Sequence, residues 1–82
     1  MPYELEIKAE PMKFLRSLPV KERKQVGYRL NCLQRDFSGD VTKLRGSRNE
    51  YRLRVGDWRV LFELVGDQIV VYGIGDRKDI YK

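Results

Sequence analysis

NEYRLRVGDWRVLFELVGDQIVVYGI, residues Asn49 to Ile74, decides the fold. Within it Tyr51, Leu53 and Val55 alternate with Arg52 and Arg54. Val60, Phe62 and Leu64 alternate in the same way with Arg59, Leu61 and Glu63. A period of two is that of a strand with one buried face. Two Gly-Asp pairs, Gly56-Asp57 and Gly66-Asp67, interrupt the runs. Gly-Asp between alternating runs marks a two-residue hairpin. The stretch therefore predicts three antiparallel strands joined by tight turns.

Tight turns fix a register. A two-residue loop at Gly56-Asp57 sets Val55 opposite Trp58, Arg54 opposite Arg59, Leu53 opposite Val60 and Arg52 opposite Leu61. The second loop sets Leu61 opposite Tyr72 and Arg59 opposite Ile74. Side chains alternate faces, so Arg52, Arg54, Arg59 and Tyr72 share one side of the sheet. Leu53, Val55, Val60, Phe62, Leu64, Ile69 and Val71 share the other and supply the core.

Upstream, YELEIK at Tyr3 to Lys8 alternates apolar and charged residues and reads as another strand. Glu10-Pro11 opens a helix, since proline and an acidic residue both suit a first turn, and Pro19 stops it. Phe14, Leu15 and Leu18 are its buried stripe. A second helix is predicted from Lys21 to Asp36, with Val26, Leu30, Leu33 and Phe37 on one face. Lys21, Lys24, Arg29 and Arg35 lie opposite. Ser38 to Asp40 ends this helix, and VTKLRGSRNE reads as loop. The expected architecture is α+β, in the order β-α-α-β-β-β: an antiparallel sheet with an N-terminal helical hairpin packed on one face. The neighbour of the first strand stays open. Without repeats or low-complexity runs, residues 1–82 are expected to form one domain.

Composition narrows the chemistry. The chain carries 17 Lys or Arg against 12 Asp or Glu, a formal charge of +5, and no histidine. Excess positive charge favours polyanionic partners. Absence of histidine excludes a Ser-His-Asp triad and imidazole metal ligation. One cysteine, Cys32, permits no internal disulfide and is too little for a zinc site. It is expected to pack as a small apolar group in a reducing cytoplasm. No run approaches the ~18 apolar residues of a membrane span, and the start shows no secretory apolar segment. Neither a metal nor a cofactor is called for.

The arginine pair is the sharpest functional sign. Arg54 and Arg59, directly cross-strand, would hold their Cβ atoms ~5 Å apart, where like charges destabilise a sheet. Either water and salt screen them on an exposed face, or an anion sits between them, and guanidinium forks match phosphate. Residues 43–59 contain Lys43, Arg45, Arg48, Arg52, Arg54 and Arg59 against only Glu50 and Asp57. That local excess adds Lys43, Arg45 and Arg48 as candidate anion-binding positions. Trp58 beside the turn either stacks a base or packs.

KLRG at Lys43 to Gly46, YRLRVGDWRVLFEL at Tyr51 to Leu64 and GDRKDIY at Gly75 to Tyr81 together resemble the RelE/ParE superfamily, the RelE-like branch foremost. These are the toxins of bacterial and archaeal type II toxin–antitoxin pairs. The resemblance implies a compact microbial-RNase-like fold that enters the ribosomal A site and cleaves mRNA, inhibiting translation. The ribose 2′-hydroxyl attacks the adjacent phosphate in that reaction. The family's functional positions fall here on Arg52, Arg54, Arg59, Arg77 and Tyr81. Arginine stays protonated at neutral pH and is a poor base. Arg59 and Arg77 are therefore assigned to clamping phosphate, and Arg52 and Arg54 to orienting RNA. Tyr81 either moves a proton, if surrounding cations lower its phenol, or packs on the sheet. Asp76 stands where many relatives carry histidine or lysine. It is either an acid–base group or a turn residue pairing with Arg77 or Lys78. Implied partners are a cognate antitoxin, the ribosome and mRNA, with a monomeric toxin inside a toxin–antitoxin hetero-oligomer and no membrane. Two other readings stay open: ParE-like inhibition of gyrase, and a catalytically degenerate RNA-binding member.

Overall fold

The computed structural model describes residues 3–80. Its elements are β1 (Glu4–Ile7), α1 (Ala9–Ser17), α2 (Val20–Asp36), β2 (Asp40–Lys43), β3 (Glu50–Val55), β4 (Trp58–Val65) and β5 (Gln68–Asp76). They form one sheet in the order β1-β5-β4-β3-β2, with α1 against β5 and α2 against β3. The α+β class and the helical hairpin are as the sequence predicts. Two details differ. VTKLRGSRNE is not all loop, because Asp40–Lys43 forms an edge strand paired with β3. The sheet is not wholly antiparallel either, since β1 runs parallel to β5. The first difference causes the second. Each connection reverses the chain, and adding β2 makes the number of reversals between β1 and β5 even. DVTK escapes a periodicity search because Val41, opposite Leu53, is its one apolar residue facing the core.

Both helices begin without a side-chain cap, α1 after Lys8 and α2 after Pro19. Glu10 and Glu22 sit in the first turns, where the exposed N–H groups favour negative charge. Helix α2 ends on Phe37 in the left-handed region, φ 57°, its N–H donating to the Leu33 carbonyl at 2.8 Å. That conformation costs a bulky residue about 1–2 kcal/mol. The ring offsets it by packing 5.3 Å from Tyr3, 5.6 Å from Tyr51 and 5.8 Å from Phe62, centroid to centroid. Val26, Leu30 and Leu33 of α2 with Leu15 of α1 and Leu18 just after it bury against Leu53, Val55, Val60, Phe62, Ile69, Val71 and Ile74. Only one side of the sheet is covered by helices, so the other is left for function.

The first hairpin holds the predicted register, Arg54 opposite Arg59 and Val55 opposite Trp58. Gly56 and Gly66 both have positive φ, 60° and 62°, while the aspartates after them do not. That is the type II′ pattern, with glycine first. The second hairpin departs from expectation. Its register shifts between Leu61 and Phe62, so Phe62 faces Val71 but Leu61 faces Gly73, leaving Tyr72 as an extra residue. Arg59 therefore opposes Gly75, not Ile74, and Ile74 turns into the core. A bulge beside a glycine, where the backbone bends without a side chain to accommodate, explains the shift.

Candidate anion-binding site

Beyond the helices, the bare face of the sheet has two ends of opposite sign. At one end stand Arg54 and Arg59, on either side of the β3–β4 turn, with half-buried Arg52 two residues back along β3 between Thr42 and Leu61. At the other end Glu50 faces Glu63 across the same pair of strands. Tyr72 belongs to this acidic end: its hydroxyl donates to Glu50 Oε1 at 2.6 Å. Loss of water around the ring, then the Glu50 bond and the charges of Glu50 and Glu63, hold its phenol protonated well above the ordinary tyrosine value. Tyr72 therefore cannot serve as a base at neutral pH.

Each arginine of the basic end is oriented by the chain itself, but not by the same kind of partner. Arg54 Nε lies 2.8 Å from Asp40 Oδ2 across the β2–β3 register, an exposed ion pair. Arg59 Nη1 donates to the Gly56 carbonyl at 2.7 Å and the Trp58 carbonyl at 2.9 Å. The turn thus fixes its guanidinium without neutralising it. Arg77 joins the group from the C-terminal turn: its N–H donates to the Asp57 carbonyl at 2.9 Å, and its Nε sits 3.8 Å from Asp57 Oδ1. Of the arginines expected to act together, the structure brings Arg54, Arg59 and Arg77 to one hairpin end, with Arg52 behind them on the same face.

Other expected positions are dispersed. Arg45 and Arg48 lie in the β2–β3 loop, at the end of β3 away from Arg54. Lys43 pairs in register with Tyr51 on the helix side of the sheet. Closeness in sequence over residues 43–59 does not make one surface, because the β2–β3 loop and the two ends of β3 lie apart. Asp76 acts in the turn: its Oδ1 accepts the Lys78 N–H at 2.8 Å and its carbonyl accepts the Asp79 and Ile80 N–H groups. Tyr81 falls outside the described residues. Trp58 packs, its ring 5.7 Å from Phe14 edge to face, and Cys32 is a buried free thiol. Sequence reasoning missed Asp40 and Asp57, the two carboxylates that set the arginines. Asp57 was visible only as a turn residue, and Asp40 needed the β2 pairing.

No protein-family model matches the chain. A protein named Toxin RelE3 from Methanocaldococcus jannaschii is 41% identical over 46 residues, 56% of this chain. The match spans about half of that relative's length, 52%. The toxin in a crystal structure of the RelB–RelE antitoxin–toxin complex from Methanococcus jannaschii superposes with a TM-score of 0.79. Its identity is 29%, over 94% of this chain and 95% of that one. The archaeal RelE–RelB complex from Pyrococcus horikoshii gives a TM-score of 0.79 and 26% identity, over 96% and 99% of the two chains. A double arginine-to-alanine mutant of the Escherichia coli toxin RelE in the free state shares the fold at a TM-score of 0.78 and 21% identity, over 99% and 90%. The helical hairpin on one face of a five-stranded sheet is thus the architecture that these RelE structures share with the chain. The chain is RelE-like.

Proposed function

We propose that the chain is the toxin of a type II toxin–antitoxin pair and cleaves mRNA in the ribosomal A site. The observation that carries this reading is the convergence of Arg54, Arg59 and Arg77 at one hairpin end, each already held in place. Attack of a ribose 2′-oxygen on the adjacent phosphorus forms a 2′,3′-cyclic phosphate and expels the 5′-oxygen of the next nucleotide. Negative charge builds on the phosphate oxygens as the bond forms. Guanidiniums preoriented by the protein stabilise that charge without reorganising at the moment of reaction. Arg59 and Arg77 clamp the phosphate, and Arg52 and Arg54 orient the strand. With no histidine in the chain, proton transfer falls to Tyr81 or Asp76. The solved relatives that pair RelE with RelB support an antitoxin as the neutralising partner.

The test is a translation extract programmed with a defined message. Cleavage at the A-site codon by the full chain, lost in an Arg59→Ala, Arg77→Ala double variant, is expected. Intact messages with the unaltered protein would sink the proposal. RNA binding without cleavage is the second reading, favoured by the carboxylates already within 4 Å of Arg54 and Arg77. Its mark is salt-dependent binding with no cut ends.

A further inference from the structure

One cavity lies outside the arginine face yet touches it. It holds about 210 Å³ between α2 and the β3–β4 turn, lined by Gln25, Tyr28 and Arg29 on the helix and by Val55 and Gly56 below. Tyr28 is 62% exposed, an unusual expense of aromatic surface for a helix whose core stripe is Val26, Leu30 and Leu33. The guanidinium carbon of Arg29 stands 5.9 Å from the Tyr28 ring centroid, within cation–π range. Lys24 and Lys21 precede Tyr28 by four and seven positions, on the same side of α2. Among the described residues, none of Lys21, Lys24 and Arg29 forms an ion pair with a carboxylate. Gly56 joins this cavity to the arginine face, for the carbonyl that holds Arg59 belongs to a residue lining the cavity.

We infer that the cavity beside Tyr28 is a subsite that stacks one unpaired nucleobase of the RNA strand whose phosphates the arginine face holds. An aromatic ring, a planar cation over it and an apolar floor are the elements of a stacking platform for single-stranded nucleic acid. The unpaired lysines along the same side of α2 suit the phosphates that follow the base. An acidic protein segment could meet the lysines and the ring too. A planar base uses the ring face, the guanidinium and the phosphate-binding lysines together, and the polyglutamate arm of the test separates the two. Stacking accepts any base, so the subsite adds affinity and sets the path of the strand without reading sequence. The inference rests on the RNA reading of the arginine face.

The test uses the full chain and a fluorescein-labelled single-stranded RNA of about six nucleotides, with an abasic strand of equal length beside it. Tyr28→Ala is expected to weaken binding of the base-bearing strand about 5- to 100-fold and to leave the abasic strand unaffected. Tyr28→Trp should restore it. Because the ring is exposed, thermal unfolding of Tyr28→Ala should match the parent. Equal loss on both strands, or no loss on either, overturns the inference. So does a Tyr28 dependence found for a polyglutamate peptide and not for RNA. Cleavage in the translation extract separates the two proposals. Intact messages alongside Tyr28-dependent base binding remove the endonuclease and leave the subsite. Cut messages with indifferent Tyr28→Ala binding do the reverse.

Discussion

A single methyl group should act with opposite sign at two glycines of β5. Gly73 and Gly75 face Leu61 and Arg59 on the bare side of the sheet, and the side chain of Ile80 folds back over them. A Cβ on Gly75 would stand 3.1 Å from Ile80 Cδ1 and 3.6 Å from its Cβ. On Gly73 the nearest atoms would be Leu61 Cδ1 at 3.6 Å, Leu61 Cβ at 3.7 Å and Ile80 Cδ1 at 3.8 Å, ordinary contact distances. Neither glycine has a positive φ, so alanine fits both backbones. Restricting the unfolded chain then stabilises by about 0.4–1 kcal/mol at either position. Forcing a methyl group into an occupied space costs about 1–3 kcal/mol, and only Gly75 incurs that. Gly73→Ala should therefore gain about 0.5–1 kcal/mol, and Gly75→Ala should lose about 0.5–2 kcal/mol.

Thermal unfolding followed by circular dichroism reads both. One kcal/mol moves the midpoint of a domain this small by about 4–8 °C, so the two variants should fall on opposite sides of the parent. The cause is checked by Ile80→Ala, which removes the obstructing branch. In that background Gly75→Ala should become neutral or stabilising, a coupling of about 1–2 kcal/mol between residues in contact. If both glycine variants move the same way, or if the Gly75→Ala loss survives in the Ile80→Ala protein, the steric reasoning is wrong. Arg77 rides on the same turn, tied through the Asp76 carbonyl and the Asp57 carbonyl.

Asp40→Asn releases Arg54 from its counter-charge: RNA titrations over a salt series should show tighter binding and a slope steeper by about 0.7, the value of one added phosphate contact on a single strand. Its effect on stability should stay below about 1 kcal/mol because the pair is exposed. Phe37→Ala exposes the aromatic cluster and should lower urea stability by about 2–3 kcal/mol, less than a fully buried phenylalanine because the ring is half-buried. Tyr72 gives a pH dependence. Its folded phenol is held above the ordinary value of ~10, so its stabilisation is complete below that pH and is lost as pH rises beyond it. Tyr72→Phe should flatten the fall in urea midpoint above pH ~10, and an unchanged fall would mean that the Tyr72 phenol is not its source.

How far the fold could be read from residues depended on the length of each pattern. Trp58–Val65 alternates over eight residues between two Gly-Asp turns, and its register with β3 follows from counting alone. Asp40–Lys43 offers four residues and one inward apolar side chain, too few to show a period. Gly73, a glycine within a strand run, is a slight sequence sign of the bulge that moved the partner of Arg59 from Ile74 to Gly75. The site divides along the same line. Arg54 and Arg59 came together because a turn of fixed length put them there. Arg45, Arg48 and Lys43 did not join them because nearness in sequence across a hairpin loop is not nearness on a face. Asp40 was invisible as a partner because the strand that carries it reads as loop, and Asp57 because its contact is with Arg77, in the turn after β5 whose path no strand pattern sets.

Those two carboxylates change the meaning of the arginine pair. Read from the register alone, Arg54 beside Arg59 is a repulsion left to water and salt or to an outside anion to relieve. In the folded chain, Asp40 already pairs with Arg54. The site's charge is therefore unequal. Arg54 and Arg77 each have a carboxylate within 4 Å, whereas Arg59 is held by two carbonyl oxygens, which orient a guanidinium and leave its charge intact. A phosphate approaching this hairpin end meets its full unit of positive charge at Arg59, on a group whose geometry is set before binding. It also competes with Asp40 for Arg54. The functional ranking follows from the partners: Arg59→Ala should reduce phosphate binding more than Arg54→Ala, although the two arginines face each other across one pair of strands. Asp40→Asn should narrow that gap. Equal losses for the two arginine variants, unchanged by Asp40→Asn, would mean that the internal ion pair opens freely in solution and that the register alone determines the site.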